Sequence, residues 1–287
     1  MGAFLLGVGC QRSGSTWLYD RLCDHPQADF GPTKELHVLD ALFVPEMKRW
    51  YDRVFVDVLH HARAPHDVPL RRGHATVAAS LLDLGQYFDH FHYRLLRSPG
   101  VRLVGDLTPA YAGLPVAALE LVRDAFAHRG VELKVLFVLR DPVERCWSQV
   151  RLVRRDNPAH KLPACEADHL RARYTTPACT MRTRYDHTLA RLEAVFPAEA
   201  LHVALYEQLH TEAGIERLCA FLGIDPFVGG LAERVHASPK GASIPDALRE
   251  EIAAFYRPVY EDARRRFGAE VIRACWPSDG LVAPALA

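Results

Sequence analysis

An α/β fold with a central, mainly parallel sheet flanked by helices is what this sequence predicts. Apolar runs of strand length at 4–8, 101–106 and 134–139 each end in a loop and are followed by apolar residues at helical spacing. Strands alternating with helices in this way close into a parallel sheet. Such a sheet gathers its functional loops at the strands' carboxyl ends, and here the loops 9–17, 105–111 and 140–148 hold ionisable or hydroxyl groups.

The first unit runs from Phe4-Leu5-Leu6-Gly7-Val8 into Gly9-Cys10-Gln11-Arg12-Ser13-Gly14-Ser15-Thr16-Trp17, with a helix from Ser15 to about His25. A strand–loop–helix unit points backbone N–H groups and a helix N-terminus at one spot, which is an anion site. Gly9-x4-Gly14 reproduces the outer frame of the nucleotide-binding P-loop, but Ser15 stands where that motif requires Lys. The segment Lys34-Glu35-Leu36-His37-Val38-Leu39-Asp40 then packs many ionisable groups into a few residues.

Helical pieces are expected at 46–60 and 77–97, around a His- and Arg-rich stretch at 60–75. After the 101–106 strand, a helix is expected from Pro115 to His128, with an apolar face of Val116, Leu119, Val122, Ala125 and Phe126. Lys134 to Leu139 is the clearest buried strand, running into Arg140-Asp141-Pro142 and a helix to about Arg155. Residues 156–178 read as a mobile loop, followed by a helix at 180–195, a strand at 200–205 and a helix at 211–222. A loop over 239–245 and a last helix over 246–267 follow. The expected organisation is one domain over 1–270 with substrate-shaping insertions at about 41–100 and 156–178, and a weakly structured tail over 271–287.

Composition narrows the function classes. Lys plus Arg equals Asp plus Glu at 35 each in 287 residues, so there is no global basic field for nucleic acid. No stretch approaches the ~20 apolar residues of a membrane span, and Phe4–Val8 is too short for a signal peptide. The seven cysteines are an odd set without CxxC spacing, as expected of reduced thiols. The cytoplasm is the expected location.

Singly, the polar residues have bland readings. Arg12 can be a surface cation, Arg140 can pair with Asp141, and a mid-helix Ser148 can bond back to its own turn. Glu35 and His37 can be a solvated loop pair, and Trp17 can be core. Loop convergence, however, brings Arg12, Glu35, His37, Asp106, Arg140 and Ser148 to one cleft.

Their combination adds a resemblance. Gln11-Arg12-Ser13-Gly14-Ser15-Thr16-Trp17-Leu18 resembles the 5′-phosphosulfate loop of sulfotransferases that use 3′-phosphoadenosine 5′-phosphosulfate (PAPS), where the pattern is close to Lys-Ser-Gly-Thr-Thr-Trp-Leu. Leu139-Arg140-Asp141-Pro142 through Ser148 resembles the family's second element, whose Arg and the Ser eight residues on grip the 3′-phosphate. Eight residues is a little over two helical turns, so both face one way. The Lys34–Asp40 segment is similar to the Lys-Glu-x-His-Phe-Phe-Asp of Golgi heparan sulfate enzymes. Ser238-Pro239-Lys240-Gly241 resembles their late Ser-Lys-Gly-Arg loop.

The resemblance implies a P-loop NTPase-like sulfotransferase fold. It also implies transfer of a sulfonate group from PAPS to a hydroxyl or amine of a small molecule or glycan, releasing 3′,5′-ADP (PAP), with no metal. By resemblance, Glu35 is the general base, with His37 its partner or the base itself. Arg12 stabilises charge on the leaving oxygen, and Lys34 joins it or contacts substrate. Thr16 and the N–H groups of Ser13, Gly14, Ser15 and Trp17 hold the 5′-phosphate. Arg140, Ser148, Lys240 and Gly241 hold the 3′-phosphate side. Gly105-Asp106-Leu107-Thr108-Pro109 matches a Gly-Glu-Lys-Ser/Thr-Pro segment of the heparan type, making Asp106 and Thr108 candidate substrate contacts, although Leu107 replaces the Lys. Two further departures are Arg12 for the loop Lys and Ala242 for the Arg expected after Gly241. The competing readings are a P-loop nucleotide-binding protein or kinase, and a non-catalytic family member that binds the nucleotide.

Overall fold

The computed structural model describes residues 2–31, 33–63, 73–156, 162–227 and 244–282. Its sheet has five strands, β1 (Ala3–Gly9), β2 (Ala28–Asp29), β3 (Leu103–Leu107), β4 (Glu132–Leu139) and β5 (Leu201–Leu205), in the order β2-β3-β1-β4-β5. All pairings are parallel, with Phe4 opposite Val104 and Leu6 opposite Val135.

The first half contributes α1 (Ser15–Cys23), α2 (Val38–Phe43), α3 (Lys48–Arg63), α4 (His74–Leu82), α5 (Leu84–Arg97) and α6 (Val116–His128). The second half contributes α7 (Pro142–Asp156), α8 (Glu166–Arg171), α9 (Pro177–Met181), α10 (Tyr185–Val195), α11 (Tyr206–Leu209) and α12 (Glu212–Leu222), then α13 (Asp246–Phe255), α14 (Arg257–Phe267) and α15 (Ala269–Cys275).

Both sheet faces are covered, which is why the strands read as continuous apolar runs rather than as alternating ones. Along β1, Phe4, Leu6 and Val8 enter the larger core, while Ala3 and Leu5 enter a second core shared with α1 and α12. The Phe4 ring stacks on Phe126 of α6 at 4.1 Å and meets Phe91 of α5 edge-on at 4.8 Å.

Several expected elements differ. The 77–97 helix is broken at Asp83, whose extended backbone lets its Oδ1 accept from Gly85 N at 2.8 Å and cap α5. α5 is also no appendage, because Tyr87 and Phe91 pack on the sheet with no exposure. The 246–267 helix breaks at Tyr256, just before Pro258, a residue that cannot continue an upstream helix. Within 156–178 the chain forms α8 and the start of α9, tied down by Trp147 Nε1 donating to Glu166 Oε2 at 2.8 Å, so the expected loop is corrected there.

The tail is the largest correction. Trp276 is fully buried, edge-on to Tyr260 at 5.5 Å, and Ser278 N donates to Asp141 Oδ2 at 2.8 Å. Ile272 and Trp276 lie one helical turn apart, too few apolar positions to stand out as a periodic stripe. Among the described residues no helix is long and apolar enough to cross a membrane, and every described cysteine is a free thiol.

Candidate active site

The carboxyl ends of β1, β3 and β4 lie side by side, and Cys10 N donates to Val138 O at 2.7 Å to hold the first loop against the fourth strand. The loop turns through left-handed conformations at Arg12 (φ 74°) and Gly14 (φ 83°). At Gly14 a Cβ would come within 2.5 Å of His210 Nε2, so both the φ and the space favour glycine. His210 in turn packs on the rings of Trp17 at 4.8 Å and Tyr206 at 4.5 Å. Trp17 is 3% exposed and belongs to the core beneath the loop.

Helix α1 starts at Ser15 with no side-chain cap and no acidic residue in its first turn. Its N-terminal amides therefore have no carboxylate or hydroxyl of the chain's own at the cap, and an anion fits there. Ser13 spends its hydroxyl on Cys10 O at 2.6 Å, so what it offers a ligand is its backbone N–H.

Three of the predicted residues meet at this loop. Arg12 Nε donates to Ser148 Oγ at 3.0 Å, and Arg140 Nη1 donates to Arg12 O at 2.7 Å. The Arg140 guanidinium also lies over the Tyr206 ring at 5.2 Å. Burial pushes the Arg12 pKa down, and the positive charges of Arg140, Arg155 and Arg151 push it further the same way. Cations gathered like this favour a polyanionic ligand. Beside them, burial raises the Glu207 carboxyl to about 7, so this acid neutralises Arg140 only in part near neutral pH.

The second cluster is Lys34, Glu35, His37 and Asp40. Glu35 (φ 57°) and His37 (φ 55°) join Arg12 as the non-glycine residues of the described chain with positive φ. Each such residue costs about 1–3 kcal/mol, and strain of this kind concentrates at functional sites. Lys34 Nζ donates to Glu35 Oε1. His37 bridges two carboxylates, with Nδ1 2.7 Å from Asp40 Oδ2 and Nε2 3.5 Å from Glu35 Oε2. Burial pushes Glu35 up, but His37 and Lys34 more than offset it and hold the carboxyl at about 2. Burial pushes His37 down, but Asp40 and Glu35 raise it to about 9. At neutral pH Glu35 is a carboxylate and His37 an imidazolium.

Asp106 and Thr108 stand elsewhere than expected. They are 3% and 0% exposed, and Asp106 accepts from Thr108 Oγ1 at 2.7 Å, Tyr111 OH at 2.6 Å and Tyr87 OH at 3.1 Å. Its Oδ1 also accepts from Leu36 N at 3.5 Å. Asp106 thus anchors the backbone between Glu35 and His37 rather than facing an acceptor. A short polar residue at a strand's carboxyl end looks the same in sequence whether it points outward or inward. Lys240 and Gly241 lie outside the described residues.

Asp40 is an addition to the expected site residues, and its spacing of three from His37 at a helix start is the sequence signal for it. Sequence patterning also passes over the buried Arg145. It sits among Val143, Cys146, Trp147 and Val150 on the buried side of α7, and a cation inside an apolar stripe is the signal that finds it. Among the described residues no cluster of His, Cys, Asp and Glu suits a metal ion.

A family model described as "Sulfotransferase family" matches residues 5–228. The fold is similar to the crystal structure of a sulfotransferase from Alicyclobacillus acidocaldarius, with a TM-score of 0.60, 19% identity, and coverage of 93% of this chain and 96% of that one. The sulfotransferase domain of the Synechococcus PCC 7002 olefin synthase aligns at 19% identity and a TM-score of 0.46, over 88% of this chain and 87% of that one. No curated protein matches the sequence.

Proposed function

The chain belongs to the sulfotransferase family, and from that premise we propose that it transfers a sulfonate group from PAPS to a hydroxyl or amine of a small molecule or glycan, on a P-loop NTPase-like fold. The single observation that supports the donor is the meeting of Arg12 with both Ser148 and Arg140. Two motifs far apart in sequence are thereby joined at one uncapped helix N-terminus.

The residues suit a nucleotide carrying phosphates at both ends. The N–H groups from Ser13 to Trp17 and the Thr16 hydroxyl hold the 5′-phosphate. Arg140 and Ser148 hold the 3′-phosphate, and the resemblance adds Lys240 and Gly241, which lie outside the described residues. When bound, PAPS supplies a sulfonate activated by its phosphate leaving group. Arg12 stabilises the negative charge that grows on the leaving oxygen.

Glu35 is the general base in this reading. It is ionised at neutral pH, whereas His37, held at about 9, already carries its proton. His37 orients the Glu35 carboxylate through Nε2, with Asp40 fixing the ring from behind. A carboxyl held at about 2 is a weak base. Lys34 moving from Glu35 toward the sulfonate raises that basicity as the acceptor arrives. The α8–α9 segment frames the acceptor side.

Incubation of the protein with labelled PAPS and a panel of phenols, sugars, aminoglycosides and hydroxylated lipids tests this function. Label transfer to an acceptor is expected. A protein that binds PAP but moves label to no acceptor and to no water would instead be a non-catalytic nucleotide binder.

A further inference from the structure

A cavity of about 250 Å³ lies between α7, α9 and the chain before Arg12, and three arginines line it: Arg145, Arg173 and Arg182. Among the described residues that line it there is no Asp or Glu. Arg145 is 1% exposed, yet none of its partners is a carboxylate. It donates to Gln11 Oε1 at 3.0 Å, Thr183 Oγ1 at 2.8 Å, and the sulfurs of Cys179 and Cys146 at 3.0 and 3.5 Å, while its buried Nε has no partner. Arg182 spends Nη1 on Ala178 O at 2.8 Å and Nη2 on Met47 Sδ at 3.0 Å, and its buried Nε also has no partner. Among the described residues neither guanidinium is paired with a carboxylate.

Burying a guanidinium away from water is costly unless an anion or a full set of acceptors replaces the lost hydration. Cys179, whose thiol the Cys146 hydrogen bond and the Arg145 charge draw below its ordinary range, gives Arg145 a partial counter-charge, whereas the Met47 thioether is a poor acceptor and gives Arg182 none. Proteins seldom keep two such groups on one cavity wall without something to fill it. The location gives the cavity meaning. Gln11 adjoins Arg12 in the donor loop, and Arg182 is near enough to Asp40 and Glu35 to feel both charges. A molecule seated here reaches toward the proposed base.

We propose that this cavity holds an oxyanion of the acceptor, a carboxylate, sulfate or phosphate, with Arg145 and Arg182 as its principal ligands and Arg173 as a further cation. The inference rests on the sulfonate-transfer reading and narrows its acceptor to anionic hydroxy or amino compounds. Arg145 and Arg182 are then specificity residues that set where the nucleophilic hydroxyl or amine lies relative to Glu35.

Calorimetric titration of benzoate, sulfate and inorganic phosphate into protein saturated with PAP tests the site, because PAP fills the two phosphate positions and Arg182→Gln then separates this cavity from the open sulfonate position. Benzamide, the neutral counterpart of benzoate, is the control. At least one anion binds and benzamide does not. Comparing the three anions identifies which oxyanion the site prefers. Arg182→Gln weakens anion binding about ten- to hundredfold, as expected for a lost charge-assisted hydrogen bond, and leaves PAP affinity unchanged. Arg145→Gln does the same, and should that variant not fold, Arg182→Gln and Arg173→Gln carry the test. Intact PAP binding with no anion binding, or benzoate and benzamide binding alike, overturns the anion site and leaves the donor reading standing. Anion binding that Arg182→Gln abolishes, in a protein that never binds PAP, overturns the donor reading and supports the anion site.

Discussion

Arg12 and Ser148 are joined by one hydrogen bond, Nε to Oγ at 3.0 Å, across 136 residues of sequence. The bond ties the turn after β1 to the second turn of α7, and Arg140 closes the same link through the Arg12 carbonyl. A ligand that engages Arg12 is therefore coupled to the residues that would hold its far end.

Replacing Arg12 by Ala removes the cation proposed to meet the leaving oxygen. The kcat should fall about 100- to 1,000-fold, as for the loss of one oxyanion-stabilising donor. Arg12→Lys keeps the charge but not the Nε–H that reaches Ser148, so it should recover only part of the rate. Steady-state assays on both variants check this.

Glu35→Gln should lower kcat about 100- to 10,000-fold while leaving the KM for PAPS close to wild type, the pattern of a lost general base. His37→Gln should cost less, because in this account it orients the base. Single-turnover rates at saturating PAPS separate the two roles.

The same cluster predicts the pH dependence of stability. His37 is raised from 6.5 to about 9, so its stabilising contribution is complete below pH 6.5 and is lost as pH rises through 9. Glu35 is lowered from 4.5 to about 2, so its contribution is present above pH 4.5 and is lost as pH falls through 2. Melting temperature should therefore decline between pH 6.5 and 9 in the wild type. The decline should be shallower in Asp40→Asn, which removes the nearer partner of His37. Thermal melts across that range provide the check.

Asp106→Asn places an amide opposite hydroxyls that donate to a carboxylate. It should destabilise the fold by about 2–4 kcal/mol. Any variant protein that folds should bind PAP normally, because Asp106 acts on the 34–37 backbone and not on the donor loop. Denaturant unfolding and PAP titration together test this structural role.

Trp276→Ala should cost about 3–5 kcal/mol, the penalty for truncating a fully buried aromatic. Removing residues 271–282 should prevent stable folding altogether. Expression and melting of the two forms decide whether this segment is core or tail.

Sequence carried the parts of the fold that have strong local periodicity. β1, β4 and α6 were legible because their apolar residues recur at one spacing over enough length. The loop after β1 was legible because Gly9 and Gly14 frame it between an apolar strand and a helix. Burial that depends on distant partners was hidden. Trp276 is core only because Tyr260 and Tyr185 meet it. Asp106 faces inward only because Tyr87, from an earlier helix, reaches it. Arg145 shows as a polar letter on a helix, and its partners Cys179 and Thr183 appear only when the chain around α9 is folded against it. The strain at Glu35 has no sequence signal, and that at His37 has only the weak one that His visits positive φ more often than most residues.

The most direct measurement is calorimetric titration of PAP and of 5′-AMP, in EDTA, into the wild type and an Arg140→Gln/Ser148→Ala double variant. PAP should bind the wild type about 10- to 100-fold more tightly than 5′-AMP, the worth of one or two charge-assisted contacts to the 3′-phosphate. That advantage should vanish in the double variant while 5′-AMP binding persists. Equal affinities for PAP and 5′-AMP in the wild type, or binding that requires Mg²⁺, would contradict the account.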